Sequence, residues 1–271
     1  MSEMISDSSK STGKMPVLFV GHGNPMNAIA DNDFTKGIRR ISESFEKPRA
    51  ILCISAHWET RGTFITASEF PQTRHDFGGF SKELFEVQYP VYGSPVLAGE
   101  VKRMVQRTNV EFDYSWGLDH GAWSVLRHMY PDADVPVVQL SLDYGKAPSW
   151  HYELARELKA LRGKGVLIIG SGNMVHNLKR ICWEKLDADE FGFDWAYEAN
   201  NKMKEFILSR DYTSLINYSL QGNAFRLAVP TPEHYLPLLY VLGLSSNQEE
   251  IEIFNDKAVA GSLTMTSVKF G

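Results

Sequence analysis

"PVLFVGHGNP" (residues 16–25) and "AILCISAHWE" (residues 50–59) decide how this chain is read. In each, an apolar run, Val17–Val20 or Ile51–Ala56, stops on an imidazole, His22 or His57. Side chains alternate between the two faces of a strand, so a run apolar at every position is covered on both faces. That is the pattern of a parallel sheet between helical layers. Further runs of this kind occupy Val135–Leu142 and Val166–Ile169, while Gly62–Ser68 and Ser262–Phe270 alternate as edge or antiparallel strands do. Helical periodicity covers Phe34–Phe45, Pro95–Arg107, Ala122–Met129, Tyr152–Arg162, Trp195–Ser209 and Tyr235–Leu242. The alternation predicts an α/β fold: a single-domain three-layer α/β/α sandwich around a largely parallel, mixed central sheet.

The 271 residues suit one large domain, and no Pro/Gly/Ser-rich linker divides them. The polar, Ser-rich stretch 1–14 reads as a flexible N-terminal tail, and residues 15–271 as one catalytic domain. A net charge of −5 argues against nucleic acid or an anionic membrane as main partner. No stretch approaches the roughly 20 apolar residues that cross a bilayer. With two cysteines, Cys53 inside an apolar run, a disulfide scaffold is not expected and a cytoplasmic location is. The aromatic, glycine-containing segment Gln72–Gly93 has the make-up of an active-site cover.

Ligands of open α/β sheets bind beyond the carboxyl ends of the strands. His22 and His57 follow strands directly, and His176 follows Val166–Ile169 through "GSGNMVHN". Distant segments thus bring imidazoles to one rim. In "TPEHYLPLLY", Thr231 can cap a helix, Pro232 suits its first position, and His234 falls near the third, where the helix end favours a neutral imidazole. Glu233 offers a carboxylate instead. His120, in "WGLDHGAW", could serve as acid or base. His75 lies in the cover, and His128 and His151 read as structural. Ser171 lies in Gly-Ser-Gly rather than in a nucleophile elbow.

Imidazoles suit zinc or iron better than magnesium or calcium. Three protein ligands leave room for substrate, whereas four close a tetrahedral site. The open reading is catalysis at one mononuclear Zn(2+) or Fe(2+) centre. The rivals are zinc-dependent hydrolysis and a non-catalytic zinc-binding protein.

GHGNPM at 21–26, SAHW at 55–58, HDFGGF at 75–80, DHGAW at 119–123, SGNMVHN at 171–177 and TPEHYLPLLY at 231–240 together resemble the class III extradiol ring-cleaving dioxygenases of the LigB superfamily. The likeness is greatest to their 4,5-DOPA group. It implies a non-haem enzyme that inserts O2 into a catechol such as L-DOPA. His22 and His57 match the family's metal histidines, His176 an acid/base that can also ligate zinc, His120 a second active-site histidine, and His234 a further ligand. The expected partners are then the catechol and O2. A cation for the catechol's side-chain carboxylate could come from Arg74, Lys179, Arg180 or Arg226.

Overall fold

The computed structural model describes residues 13–186 and 188–271. Of the expected tail, residues 1–12 lie outside these, and Lys14 is paired with Glu249. The central sheet has the spatial order Val137–Gln139, Ala50–Ser55, Val166–Gly172, Val17–Gly21, Ser267–Phe270, Ile251–Phe254. The first four strands are parallel. Ser267–Phe270 runs antiparallel to Val17–Gly21, and Ile251–Phe254 antiparallel to it in turn. The sheet is mixed, and the α/β expectation holds.

Strand alternation sorts the core. Val17, Phe19, Leu52, Ile54, Val166 and Ile168 enter one apolar cluster with the helices Pro148–Glu157 and Leu236–Leu244. Leu18, Val20, Ile51, Leu167 and Ile169 enter the other, against the helices Asp33–Glu43 and His120–Met129. Helix Leu236–Leu244 is buried at every residue, as its all-round apolar sequence requires.

Several expected boundaries move. The run Val135–Leu142 breaks into Val137–Gln139, inside the sheet, and Leu142–Asp143, which pairs with Glu59–Thr60. Near the break Leu140 N still donates to the Cys53 carbonyl at 3.0 Å, while the Gln139 amide, on the free edge, donates to Thr66 Oγ1 at 2.8 Å. Within Gly62–Ser68, only Thr63–Thr66 is strand, and it pairs in parallel with Val110–Asp113 outside the central sheet. The C-terminal stretch splits into Leu263–Thr264 and Ser267–Phe270, the latter an interior strand. The helix expected over Tyr152–Arg162 is Pro148–Glu157 followed by a 3-10 turn over Lys159–Lys164.

Arg162 fastens this frame. Its guanidinium is fully buried and donates to the carbonyls of Met15 (2.7 Å), Leu244 (2.8 Å) and Phe270 (3.2 Å). It also pairs with Glu249 at 2.7 Å.

Candidate metal centre

Three neighbouring strands, Ala50–Ser55, Val166–Gly172 and Val17–Gly21, end side by side. Their register aligns Ser55 with Ser171 and Gly21 with Gly172, so His57 and His22 leave the sheet at the same level. His234 arrives from the opposite side. A Cβ on Gly172 would stand 2.1 Å from the His234 carbonyl oxygen, and one on Gly170 would stand 2.4 Å from that of Pro237. Only glycine lets this segment lie against the strand.

His234 sits in a turn, not at the third position of a helix. Its carbonyl accepts the Asn173 amide at 2.9 Å, and the helix begins at Leu236. His120 is the first residue of helix His120–Met129, not part of a loop leading into it. The buried N-cap, Asp119, accepts from Ala122 N, Ser55 Oγ (2.6 Å), Gln139 Nε2 (2.7 Å) and Trp116 Nε1 (3.3 Å). That carboxylate ties the His120 helix to the strand end that carries His57.

One ligand nitrogen each from His22, His57 and His234 lies within 4.8 Å of the other two. Their hydrogen bonds determine which nitrogen is free. The Ser171 hydroxyl donates to the Gly121 carbonyl at 2.5 Å, so it accepts from His22 Nδ1 at 2.9 Å. His234 Nδ1 donates to Glu233 Oε1 at 3.2 Å. His57 Nδ1 faces Asp76 Oδ2 at 3.6 Å. Each Nδ1 has an acceptor beside it, which leaves the Nε2 lone pairs unused.

His22 Nε2 and His57 Nε2 stand 3.1 Å apart. At that distance either one ring's own hydrogen or a cation lies between the two nitrogens. Ligands about 2.0–2.1 Å from one zinc ion in tetrahedral array are about 3.3 Å from each other. The donor set and spacing fit one divalent ion.

Burial, reinforced by the neighbouring imidazoles, holds His22 well below the ordinary histidine range and His57 down to about 2. Burial also lowers His234, against the pull of Glu233. Neutral rings present lone pairs, as metal binding needs. Burial would raise the Glu233 carboxyl, but hydrogen bonds from His234, its own backbone and Thr231 bring it down to about 2. Asp76 behaves alike: the His120 hydrogen bonds and charge outweigh burial and keep it low. A carboxylate thus stands behind His57 and another behind His234, with the Ser171 hydroxyl behind His22.

The His176 ring stacks on that of His234, with centroids 3.5 Å apart and planes 7° from parallel. Burial, then His234, pushes it down to about 3. Parallel stacking directs the in-plane lone pairs of the two rings into separate, parallel planes. His120 lies 3.9 Å from His57 by centroids, its Nδ1 on Asp76 Oδ1 at 3.0 Å. Phe77 meets the His120 ring edge-on at 5.4 Å and packs on Phe80 and Phe85.

His75 bonds the Val87 carbonyl within the cover, His128 the Asn27 carbonyl, and His151 the Tyr240 hydroxyl; none of the three joins the cluster. Ser171 and Asp76 were missed as site residues. Ser171 gave no signal outside its glycines. Asp76 sat beside His75 in a polar-aromatic cover, and its position there was the available hint. Lys179, Arg180 and Arg226 have no acidic partner among the described residues, and Lys179–Arg180 follow His176 closely in a 3-10 turn. Arg74 lies over the Trp116 ring at 4.2 Å. Among the described residues no helix is long and apolar enough to cross a membrane.

Residues 15–271 match the family described as the catalytic LigB subunit of aromatic ring-opening dioxygenase. A 4,5-DOPA dioxygenase extradiol of Escherichia coli K12 is 44% identical over 275 residues, covering 100% of both chains. A protein of the same name from Beta vulgaris is 34% identical, covering 93% of this chain and 95% of its own. The crystal structure of an uncharacterized Escherichia coli K12 protein superposes with a TM-score of 0.80 at 41% identity, over 95% of this chain and 100% of that one.

Proposed function

The chain belongs to the LigB family of aromatic ring-opening dioxygenases and is an extradiol-type oxidoreductase, and from that premise we propose that it cleaves a catechol of the L-DOPA type at the 4,5 bond. One observation carries the reading: three imidazoles, each with an acceptor beside its Nδ1, bring one ring nitrogen apiece within 4.8 Å of one another. His22, His57 and His234 would hold one divalent ion, Fe(2+) or Zn(2+). When bound, iron would supply coordination of both catechol oxygens and of O2 and would pass electrons between them.

The remaining roles fall to this chain's side chains. His176, stacked on a ligand ring rather than sharing its plane, takes a proton from a catechol hydroxyl and returns it later. His120, whose Nδ1 hydrogen goes to Asp76, presents a bare Nε2 that accepts a hydrogen bond from the other catechol hydroxyl. Phe77, with Phe80 and Phe85, covers the ring and excludes water. The bond beside the two hydroxyls breaks, and both oxygen atoms of O2 enter the product. Lys179 and Arg180 supply the cation for a side-chain carboxylate.

The test is anaerobic loading with Fe(2+), addition of L-DOPA, then admission of air. A yellow ring-opened product that requires both oxygen and iron is the expected result. His176→Ala should keep its metal while cleavage falls at least ~100-fold. Turnover that is independent of oxygen, or unchanged in that variant, overturns the reading.

A further inference from the structure

Asp76 is an acidic side chain that the aromatic cover sends into the imidazole cluster. Its Oδ1 accepts both the backbone amide of His120 (2.9 Å) and the ring Nδ1 of His120 (3.0 Å). Its Oδ2 lies 3.6 Å from Nδ1 of His57. One carboxylate therefore stands behind two rings, His57 at the strand end that would hold the metal and His120 at the start of the neighbouring helix. We infer that Asp76 is a positioning residue that sets the ring tautomer of both His57 and His120, so that the cover dictates which nitrogen each presents to the site. This rests on the function proposed above only for what the two Nε2 atoms do. The His120 tautomer follows from its hydrogen bond to Asp76, and the His57 tautomer from the nearness of a carboxylate that can only accept.

A carboxylate can only accept, so it draws a hydrogen onto each Nδ1 and leaves each Nε2 bare. An amide cannot do this for both rings. In Asp76→Asn the carbonyl oxygen must stay with the His120 backbone, because that N–H can only donate. The NH2 group then faces His57 Nδ1 and forces it to accept. The hydrogen on His57 moves to Nε2 and points at His22 Nε2, 3.1 Å away, where an ion would sit. The asparagine keeps the volume and the contact to the helix start. Alanine loses both but leaves His57 free to take either tautomer.

The two roles thus predict opposite rankings. If Asp76 only braces the helix, alanine is the more damaging change at every readout. If it sets the tautomer, Asp76→Asn binds metal worse than Asp76→Ala while melting closer to wild type. Zn2+ titrated against a chromogenic chelator reads the first quantity. The expected losses are about 100-fold for asparagine and about tenfold for alanine, the span found when a carboxylate behind a metal histidine is altered. Two-bond 1H–15N correlation spectra of the metal-free protein read the tautomers directly. His57 and His120 should carry hydrogen on Nδ1 in the wild type, and His57 should carry it on Nε2 in Asp76→Asn.

Zinc affinity within about twofold of wild type in Asp76→Asn overturns the inference, as does a metal-free wild type with hydrogen on His57 Nε2. Neither readout involves ring cleavage. A wild type that fails to open catechols with these results intact would sink the functional proposal and spare this one.

Discussion

Replacing Gly172 by alanine tests whether the site depends on backbone contact rather than on the imidazoles alone. The added Cβ would lie 2.1 Å from the His234 carbonyl oxygen, whereas ordinary contact begins at 3.4 Å, a shortfall of about 1.3 Å. Neither partner is the end of a flexible side chain, so backbone has to move. If strand and turn share the displacement equally, His234 shifts by roughly 0.6 Å, beyond the ~0.2 Å within which metal–ligand distances are held. Zinc affinity should then fall by about 100-fold, or ~2.7 kcal/mol. Overpacking should cost about 1–3 kcal/mol of stability and lower Tm by several degrees. Gly163→Ala is the control, since a Cβ there meets nothing within 4 Å. That variant should match wild type in both readings or gain slightly in stability. Chelator competition and thermal unfolding measured on the three proteins decide the matter. A folded Gly172→Ala protein with wild-type zinc affinity would refute the reasoning, because His234 would then not need the close approach.

Glu249 holds its charge against fully buried Arg162. Burial would raise its carboxyl, but hydrogen bonds and charge from Arg162, with help from Lys14, keep it low. A depressed carboxylate stabilises the fold above its unfolded value, about 4.3, and that contribution disappears as pH falls through the folded value. Glu249→Gln should therefore cost about 2–4 kcal/mol in urea unfolding at pH 7, with the gap from wild type closing below about pH 4. A gap that widens in acid would contradict this. Asp119→Asn turns an NH2 group toward donors that now point at a carboxylate. Urea midpoints should report a loss of about 2–3 kcal/mol, and a change below ~0.5 kcal/mol would show those bonds to be dispensable. Metal at 100 times its Kd should stabilise the protein by ~2.7 kcal/mol, so chelation should lower Tm by roughly 5–10 °C. His57→Ala should show almost none of that shift.

The sheet was legible because its strands are apolar on both faces, and burial on both sides leaves that trace in any sequence. The convergence of His22 and His57 was legible for a related reason, since parallel strands end on a common rim. Four features left no such trace or a misleading one. The use of Ser171 as acceptor for His22 depends on the Gly121 carbonyl taking its hydrogen, a relation between residues far apart in the chain. The place of Asp76 depends on how the cover folds back. The helix before Leu236 was anticipated too early because Thr231-Pro232 is a sound start signal, yet the His234 carbonyl is taken by Asn173. Val110–Asp113 alternates apolar and polar over only four residues, too short a run to declare itself, and it becomes a strand by pairing with Thr63–Thr66.

Phe77 of the cover packs on Phe80 and Phe85 and meets His120 edge to ring, while His22, His57 and His234, the proposed ligands, issue from strand ends and one turn. Under the proposed function, substrate shape and reactive centre are written in separate stretches of sequence. A library that varies those three aromatics could re-cut the enzyme's range of accepted phenols with its chemistry left in place, provided Asp76 is spared.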